Sequence, residues 1–228
     1  MRMRKKKYLE SRLSECKDNL IEYMTDKPNF NEITDVNHID LEAFFGNDNP
    51  IRLEIGCGKG QFVCEMAMRH PEINFVAVEK TANVIVLACE KAKELKLKNV
   101  LFIKTSAEYL PRLLREKSVT ELYLNFSCPY PKSTYATHRL TNSRFLKIYD
   151  RLLCDGAEIH QKTDNMHFFE YSIEEFTSSG YKLKNISLDL HASDFEGNIV
   201  TEYERRFSEQ GMPIYRLEAY KDDNGYTA

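Results

Sequence analysis

The sequence lacks most of what would place a protein in a membrane, around a metal or under disulfide constraint. None of its 228 residues belongs to an apolar stretch approaching the roughly 18 needed for a membrane-spanning helix. The basic run at the N-terminus has no apolar segment behind it of the kind a secretory signal carries, so a cytoplasmic protein is expected. The six cysteines (Cys16, Cys57, Cys64, Cys89, Cys128, Cys154) include no C-x-x-C pair and sit largely within apolar patterns. That predicts reduced thiols and neither a disulfide framework nor zinc. The six histidines also lack ligand spacing, and His70, before Pro71, reads as a helix-end residue, so no metal is expected. There is no internal repeat and no low-complexity segment. The net charge of -3 provides no bulk positive excess, so non-specific adhesion to nucleic acid is not the default.

What is present suits one α/β domain over residues 1–228. With 42% hydrophobic residues the chain can bury a full core. Residues 1–49 read as a basic arm, a helix from about Tyr8 to Met24 and a polar approach. Residues from about 50 to 220 read as the core. Strands are predicted at Ile51–Ile55, Ile73–Glu79, Val100–Lys104, Val119–Phe126, Ala157–Gln161, Leu183–Asp189 and Ile214–Ala219. Helical patterns lie at Gly60–Arg69, Val84–Leu95, Ala107–Leu114, Ser143–Leu153 and Phe168–Ser178. Such alternation predicts a mostly parallel seven-stranded sheet with helices on both faces. Ligands of that architecture sit beyond the carboxyl ends of the strands, where Glu54, Gly56, Glu79, Thr105, Ser106 and the segment after Phe126 should converge.

The segment Leu53-Glu54-Ile55-Gly56-Cys57-Gly58-Lys59-Gly60 carries the strongest chemical signal. A glycine triplet can be no more than a tight turn. Here an apolar run precedes it, a helical pattern follows it, and the next strand ends in the acid Glu79. Glycines between a buried strand and a helix let backbone approach a ligand closely. The dinucleotide fingerprint G-x-G-x-x-G faces a pyrophosphate, whereas this loop is G-x-G-x-G with Glu54 two residues ahead of it. A carboxylate there repels a pyrophosphate and suits a ligand with a cationic end, which points to S-adenosylmethionine. Glu79, 19 residues past Gly60, is placed to take both ribose hydroxyls.

Two further features bear on the second substrate. In Leu124-Asn125-Phe126-Ser127-Cys128-Pro129-Tyr130-Pro131-Lys132, two prolines flank an aromatic, giving a stiff loop at a strand end. An acceptor base could stack there, although Tyr130 could also be simple packing. Positive charge concentrates at Arg2, Arg4, Lys5, Lys6 and Lys7, and again at Lys132, His138, Arg139, Arg144 and Lys147. Such runs are usually solvated faces, yet two beside a cofactor fold suit phosphate.

The chain resembles the bacterial tRNA (guanine-N7)-methyltransferases. The resemblance is carried by Met1-Arg2-Met3-Arg4, Phe45-Gly46-Asn47-Asp48-Asn49-Pro50, the Glu-x-Gly-x-Gly-Lys-Gly-Gln-Phe loop, Asn125-Phe126-Ser127 and Lys162-Thr163-Asp164-Asn165. It continues through Leu188-Asp189-Leu190-His191, Glu196-Gly197-Asn198-Ile199 and Thr201-Glu202-Tyr203-Glu204. The resemblance implies a Rossmann-like class I S-adenosylmethionine-dependent methyltransferase. Its expected reaction is transfer of a methyl group to N7 of the variable-loop guanosine (guanosine-46) of tRNA, by a monomer or homodimer. It further implies cofactor binding by Glu54, Gly56, Gly58, Glu79, Ser106 and Cys128. Lys132, Asp164, Thr201, Glu202, Tyr203 and Glu204 would bind the guanosine or nearby tRNA. Asp164 and Glu204 could accept hydrogen bonds from the Watson-Crick edge of guanine.

Two positions in the loop depart from the family. Its pattern reads Asn-Phe-Ser-Asp-Pro-Trp-Pro-Lys, but Cys128 replaces the Asp, at a catalytic position, and Tyr130 replaces the Trp. A family acid after the third predicted strand is Ser106 here, with Glu108 two residues on. Losing one electrostatic group of this kind typically costs about 3–4 kcal/mol, which predicts a slow enzyme. Three alternatives stay open: a degenerate relative that binds tRNA or cofactor with little turnover, methylation of a small molecule, and a Cys128 nucleophile of the cytosine-C5 type.

Overall fold

The computed structural model describes residues 7–23 and 36–222. Arg2, Arg4, Lys5 and Lys6 of the basic arm lie outside them. The chain divides into two compact units, residues 1–114 and 115–228. Among the described residues no helix is long and apolar enough to cross a membrane.

The first unit runs α1 (Leu9–Ser14), β1 (Leu20–Glu22), α2 (Leu41–Phe45), β2 (Ile51–Ile55), α3 (Gln61–Arg69), β3 (Asn74–Val78), α4 (Ala82–Glu94) and β4 (Val100–Lys104). A 3-10 turn at Ala107–Tyr109 leads into α5 (Leu110–Leu113). Its strands lie in the order β1-β4-β3-β2, all parallel. Every residue of β3 is buried, as expected for a parallel strand covered on both faces. Helix α4 buries Ile85, Val86, Cys89 and Ala92, an apolar stripe at helical spacing. The Asn99 side chain donates to the carbonyls of Ala67, His70 and Ile73, tying the end of α3 to the entry of β3.

The second unit runs β5 (Val119–Asn125), a 3-10 turn at Ser133–His138, α6 (Ser143–Leu152), β6 (Leu153–Thr163), α7 (Met166–Ser178) and β7 (Lys182–Ser187). It continues through a 3-10 turn at Leu190–Ala192 to α8 (Glu202–Ser208) and β8 (Tyr215–Tyr220). The order is β5-β6-β8-β7. β5 and β6 are parallel, while β8 runs antiparallel to both β6 and β7. Helices α6 and α7 start at Asn142 and Asn165, whose side chains accept from the backbone N–H groups of Arg144 and Phe168.

Eight strands occur among the described residues, one more than expected. The helix read from Tyr8 to Met24 stops at Ser14, and β1 occupies part of its range. The edge of β4 supplies the reason: Phe102 N–H donates to Asn19 O, and Tyr23 N–H to Lys104 O, so pairing overrides local helical pattern. Helix α2 lies within the stretch expected to be a polar approach. Its signals are an Asp40 cap and a closing Gly46 in the left-handed region, and it is too short to show periodicity. The predicted helix at Ala107–Leu114 is a 3-10 turn followed by one α turn.

Candidate functional site

Two clusters of chemically competent residues emerge, one in each unit. In the first, β2 ends at Ile55 and the chain turns through Gly56, Gly58 and Gly60, with φ of 83, 56 and 74°. Gly56 and Cys57 N–H groups both donate to Val78 O, pinning this turn to the end of β3. A Cβ built on Gly56 or Gly58 would meet nothing within 4 Å. Those two glycines therefore border open space, and only their φ demands glycine. Gly60 differs, because its Cβ would lie 2.6 Å from that of Ala88 in α4.

Glu54 is buried on β2, and Glu79 directly follows β3, its Oε1 accepting from Thr81 N–H at 2.8 Å. Both carboxylates act on the buried Cys57 thiol. Burial raises its pKa well above the ordinary value, and Glu54 and then Glu79 push it further. Cys57 thus stays protonated at neutral pH and is no nucleophile. At the end of β4, the Thr105 hydroxyl is shielded from solvent and makes no hydrogen bond among the described residues. Ser106 follows, half-buried, at the start of the 3-10 turn, with no capping bond from its side chain. A glycine turn open to the outside, two carboxylates and an unused hydroxyl fit a nucleoside ligand with a cationic end.

In the second unit the segment after β5 is held in an uncommon backbone conformation. Phe126 and Tyr130 have φ of 52 and 41°, the left-handed region that non-glycine residues seldom occupy. Phe126 N–H donates to Lys162 O at 2.8 Å. Arg139 donates to the carbonyls of Pro129 and Tyr130 at 2.9 and 3.0 Å and stacks on Tyr171, its guanidinium 4.2 Å from the ring centroid. Arg139, one of the basic residues expected to suit phosphate, thus also braces the Pro-Tyr-Pro turn. Cys128 and Lys132 are exposed on this loop.

The structure brings Cys128 and Asp164 within electrostatic reach of Tyr203. The Tyr203 hydroxyl has its pKa raised by burial, then by Asp164 and Cys128, with Arg206 opposing. The Tyr203 ring packs 5.1 Å from Phe126 and 4.7 Å from Phe207. Thr201 caps α8, its hydroxyl accepting from Glu204 N–H at 3.1 Å. Glu202 is exposed. Glu204 departs from the expectation of an acceptor open to a base. It is fully buried, and its oxygens are engaged by Lys162, Asn198 and His191. Lys162, Asn198 and His191 carry no sequence sign of this role, because residues so far apart in the chain give no local sign of meeting. The Ser127 hydroxyl is likewise shielded and without a hydrogen bond among the described residues.

Elsewhere, Glu158, His160 and Glu218 offer ligand atoms within 4.8 Å of one another. Lys184 already pairs with Glu158, and Arg216 with Glu218, so these carboxylates are neutralised without a metal.

Residues 48–217 match the family model described as "Putative methyltransferase". A tRNA (guanine-N(7)-)-methyltransferase of Listeria monocytogenes serotype 4b is 49% identical over 180 residues, covering 79% of this chain and 84% of the relative. The chain belongs to the tRNA (guanine-N7)-methyltransferase family. Its relative of the same name in Bacillus subtilis strain 168 is 43% identical over 219 residues, 96% of this chain and 98% of that one. Among solved structures, that of the 16S rRNA methyltransferase KamB aligns with a TM-score of 0.60 at 18% identity, covering 82% of this chain and 95% of that one. The shared architecture is the class I methyltransferase fold, α/β and Rossmann-like, as expected. Cys128 and Tyr130, the two positions at which the loop is expected to depart from the family pattern, lie in a turn whose backbone carbonyls are held by Arg139.

Proposed function

We propose that the chain transfers a methyl group from S-adenosylmethionine to N7 of a tRNA guanosine, and that the acceptor is guanosine-46 of the variable loop. One observation carries this reading. A chain matching tRNA (guanine-N7)-methyltransferases over nearly its whole length presents both Glu54 and Glu79 beside a glycine turn open to a ligand.

When bound, S-adenosylmethionine supplies a methyl group on a cationic sulfur. Glu79 suits the ribose hydroxyls, Glu54 the cationic amino-acid end, and Gly56 and Gly58 admit the ligand against backbone. Ser106 can hydrogen-bond near the adenine. Guanine N7 has a free lone pair on its Hoogsteen edge, so no general base need remove a proton. The residues of the second unit then position and polarise the base. Asp164 accepts from its Watson-Crick edge, Tyr203 and Phe126 provide an aromatic wall, and Lys132 takes a phosphate. Holding two substrates in line supplies about 7–11 kcal/mol of the barrier reduction. With Cys128 in place of an acid, less charge stabilisation is available and turnover is slow. The protein acts in the cytoplasm, as a monomer or homodimer.

The test is incubation with labelled S-adenosylmethionine and unmodified tRNA, followed by borohydride and aniline cleavage at N7-methylguanine. Cleavage at guanosine-46 is expected. Cofactor binding without any cleavage would leave a binding module, and cleavage at another guanosine would overturn the assigned position.

A further inference from the structure

We infer that Lys162 is a positioning residue for the acceptor half of this reaction, holding the Phe126 loop through its main chain and α8 through its side chain. The inference rests on the reading that Asp164, Tyr203 and the Cys128 loop receive the guanosine.

Lys162 is the penultimate residue of β6 and only 5% exposed, a rare condition for lysine. Its ammonium donates to Asn198 Oδ1 at 2.9 Å, Ile199 O at 3.0 Å and Glu204 Oε2 at 2.7 Å. The other Glu204 oxygen accepts from Asn198 Nδ2 at 2.6 Å and lies 3.1 Å from His191 Nε2. The sequence motifs around residues 162, 191, 198 and 204 therefore meet at one buried ion pair. Such a pair is weak support for stability, since well-packed apolar residues of similar volume often serve as well or better. What it does supply is direction, because each donor and acceptor admits only a narrow geometry.

The parts so directed are those assigned to the guanosine. Lys162 O accepts from Phe126 N–H, which fixes Phe126 in its left-handed conformation at the entry to the Cys128 loop. The Lys162 ammonium sits 5.8 Å from the Phe126 ring centroid, and that ring packs on Tyr203, next to Glu204 in α8. Asp164 lies two residues beyond Lys162 on the same chain segment. A shift of Lys162 therefore moves the loop, the aromatic wall and the Asp164 carboxylate together.

The test uses the full chain with Lys162→Met, which keeps length and loses charge, and Glu204→Gln, which keeps volume but loses the charge and one of the two acceptor oxygens. For each, S-adenosylmethionine affinity is measured by calorimetry, kcat and KM on unmodified tRNA by methyl incorporation, and amide exchange across residues 126–132 and 201–208 by mass spectrometry. For Lys162→Met the expected result is a kcat lower by about 100-fold, unchanged cofactor affinity, and exchange in α8 faster by about tenfold. Glu204→Gln should fall between it and the natural chain. The inference is overturned by an undiminished kcat, by an equal loss of cofactor affinity, which marks general unfolding, or by lost activity with unchanged α8 exchange, which marks direct substrate contact. If Lys162→Met does not fold, Glu204→Gln decides on the same criteria. If the natural chain fails to methylate tRNA, the proposed function falls by itself, and the exchange comparison still decides whether Lys162 organises α8.

Discussion

Gly60 and Gly58 look alike in the sequence and answer to different constraints. Gly58 has only its φ of 56° to satisfy, whereas Gly60 must also leave room for Ala88 at the approach of α3 to α4. A left-handed Cβ costs about 1–2 kcal/mol, and overpacking adds about 1–3 kcal/mol. Gly60→Ala should therefore lower unfolding stability by about 2–5 kcal/mol and Gly58→Ala by about 1–2 kcal/mol, read from denaturant midpoints. Equal losses would show that the contact with Ala88 relaxes without penalty. At Cys128 the issue is charge. Replacing the exposed thiol with a carboxylate beside Tyr203 and Asp164 restores a negative group to the braced loop. Cys128→Asp should raise kcat on tRNA, by roughly 100-fold if the group acts as comparable electrostatic groups do. An unchanged rate in single-turnover measurements would refute the electrostatic account of this position.

Among the elements, the longer helices with an apolar stripe were the most legible and the short ones the least. Helices α6 and α7 have buried apolar positions at helical spacing, which the sequence pattern shows, while their asparagine caps are seen in the structure. The Asn165 cap of α7 sits immediately after Asp164, so the cap also sets where that carboxylate begins. Asn165→Ala removes an acceptor for Phe168 N–H at 2.8 Å and should cost about 1 kcal/mol of stability, measured by chemical denaturation. A loss below about 0.3 kcal/mol would mean that water caps the helix as well. Helix α8 leaves no sequence signal for a physical reason. Of its seven residues only Glu204 is buried, so it has no apolar stripe, and it is anchored by an ion pair instead. Strand β1 leaves no signal either, because three residues carry no period, and the hydrogen bonds that define it come from β4.

At the scale of the whole molecule, acid stability should depend on His160. Burial pulls its pKa below the ordinary 6.5, opposed by Glu218, Glu121 and Glu158 and aided by Arg216. Lys184 reaches the same carboxylates, and Tyr123 packs 5.1 Å from the imidazole. The unfolded chain then takes up the proton first. Stability is fully present above about pH 6.5 and is lost as pH falls through the lowered folded-state value. Glu218, whose pKa is held below 4.5 chiefly by hydrogen bonds from Arg216 and Asn185 against the opposing effect of burial, adds a second loss in stronger acid. A Tm series from pH 7.5 to 5 should show a fall in the natural chain that flattens in His160→Gln, and parallel curves would remove His160 from the account. The α/β class, the glycine turn with Glu54 ahead of it and Glu79 after the next strand, and the stiffness of the Pro-Tyr-Pro loop were determined by the sequence alone. Each depends on contiguous residues, where periodicity, glycine φ and proline act locally. Only the tertiary structure decided that Glu204 is buried against Lys162, that Arg139 braces the Pro-Tyr-Pro loop, and that Asp164 and Cys128 come within electrostatic reach of Tyr203. Those outcomes depend on which distant segments the strand order brings together, and in a buried setting the nearest partner determines what a charged side chain does.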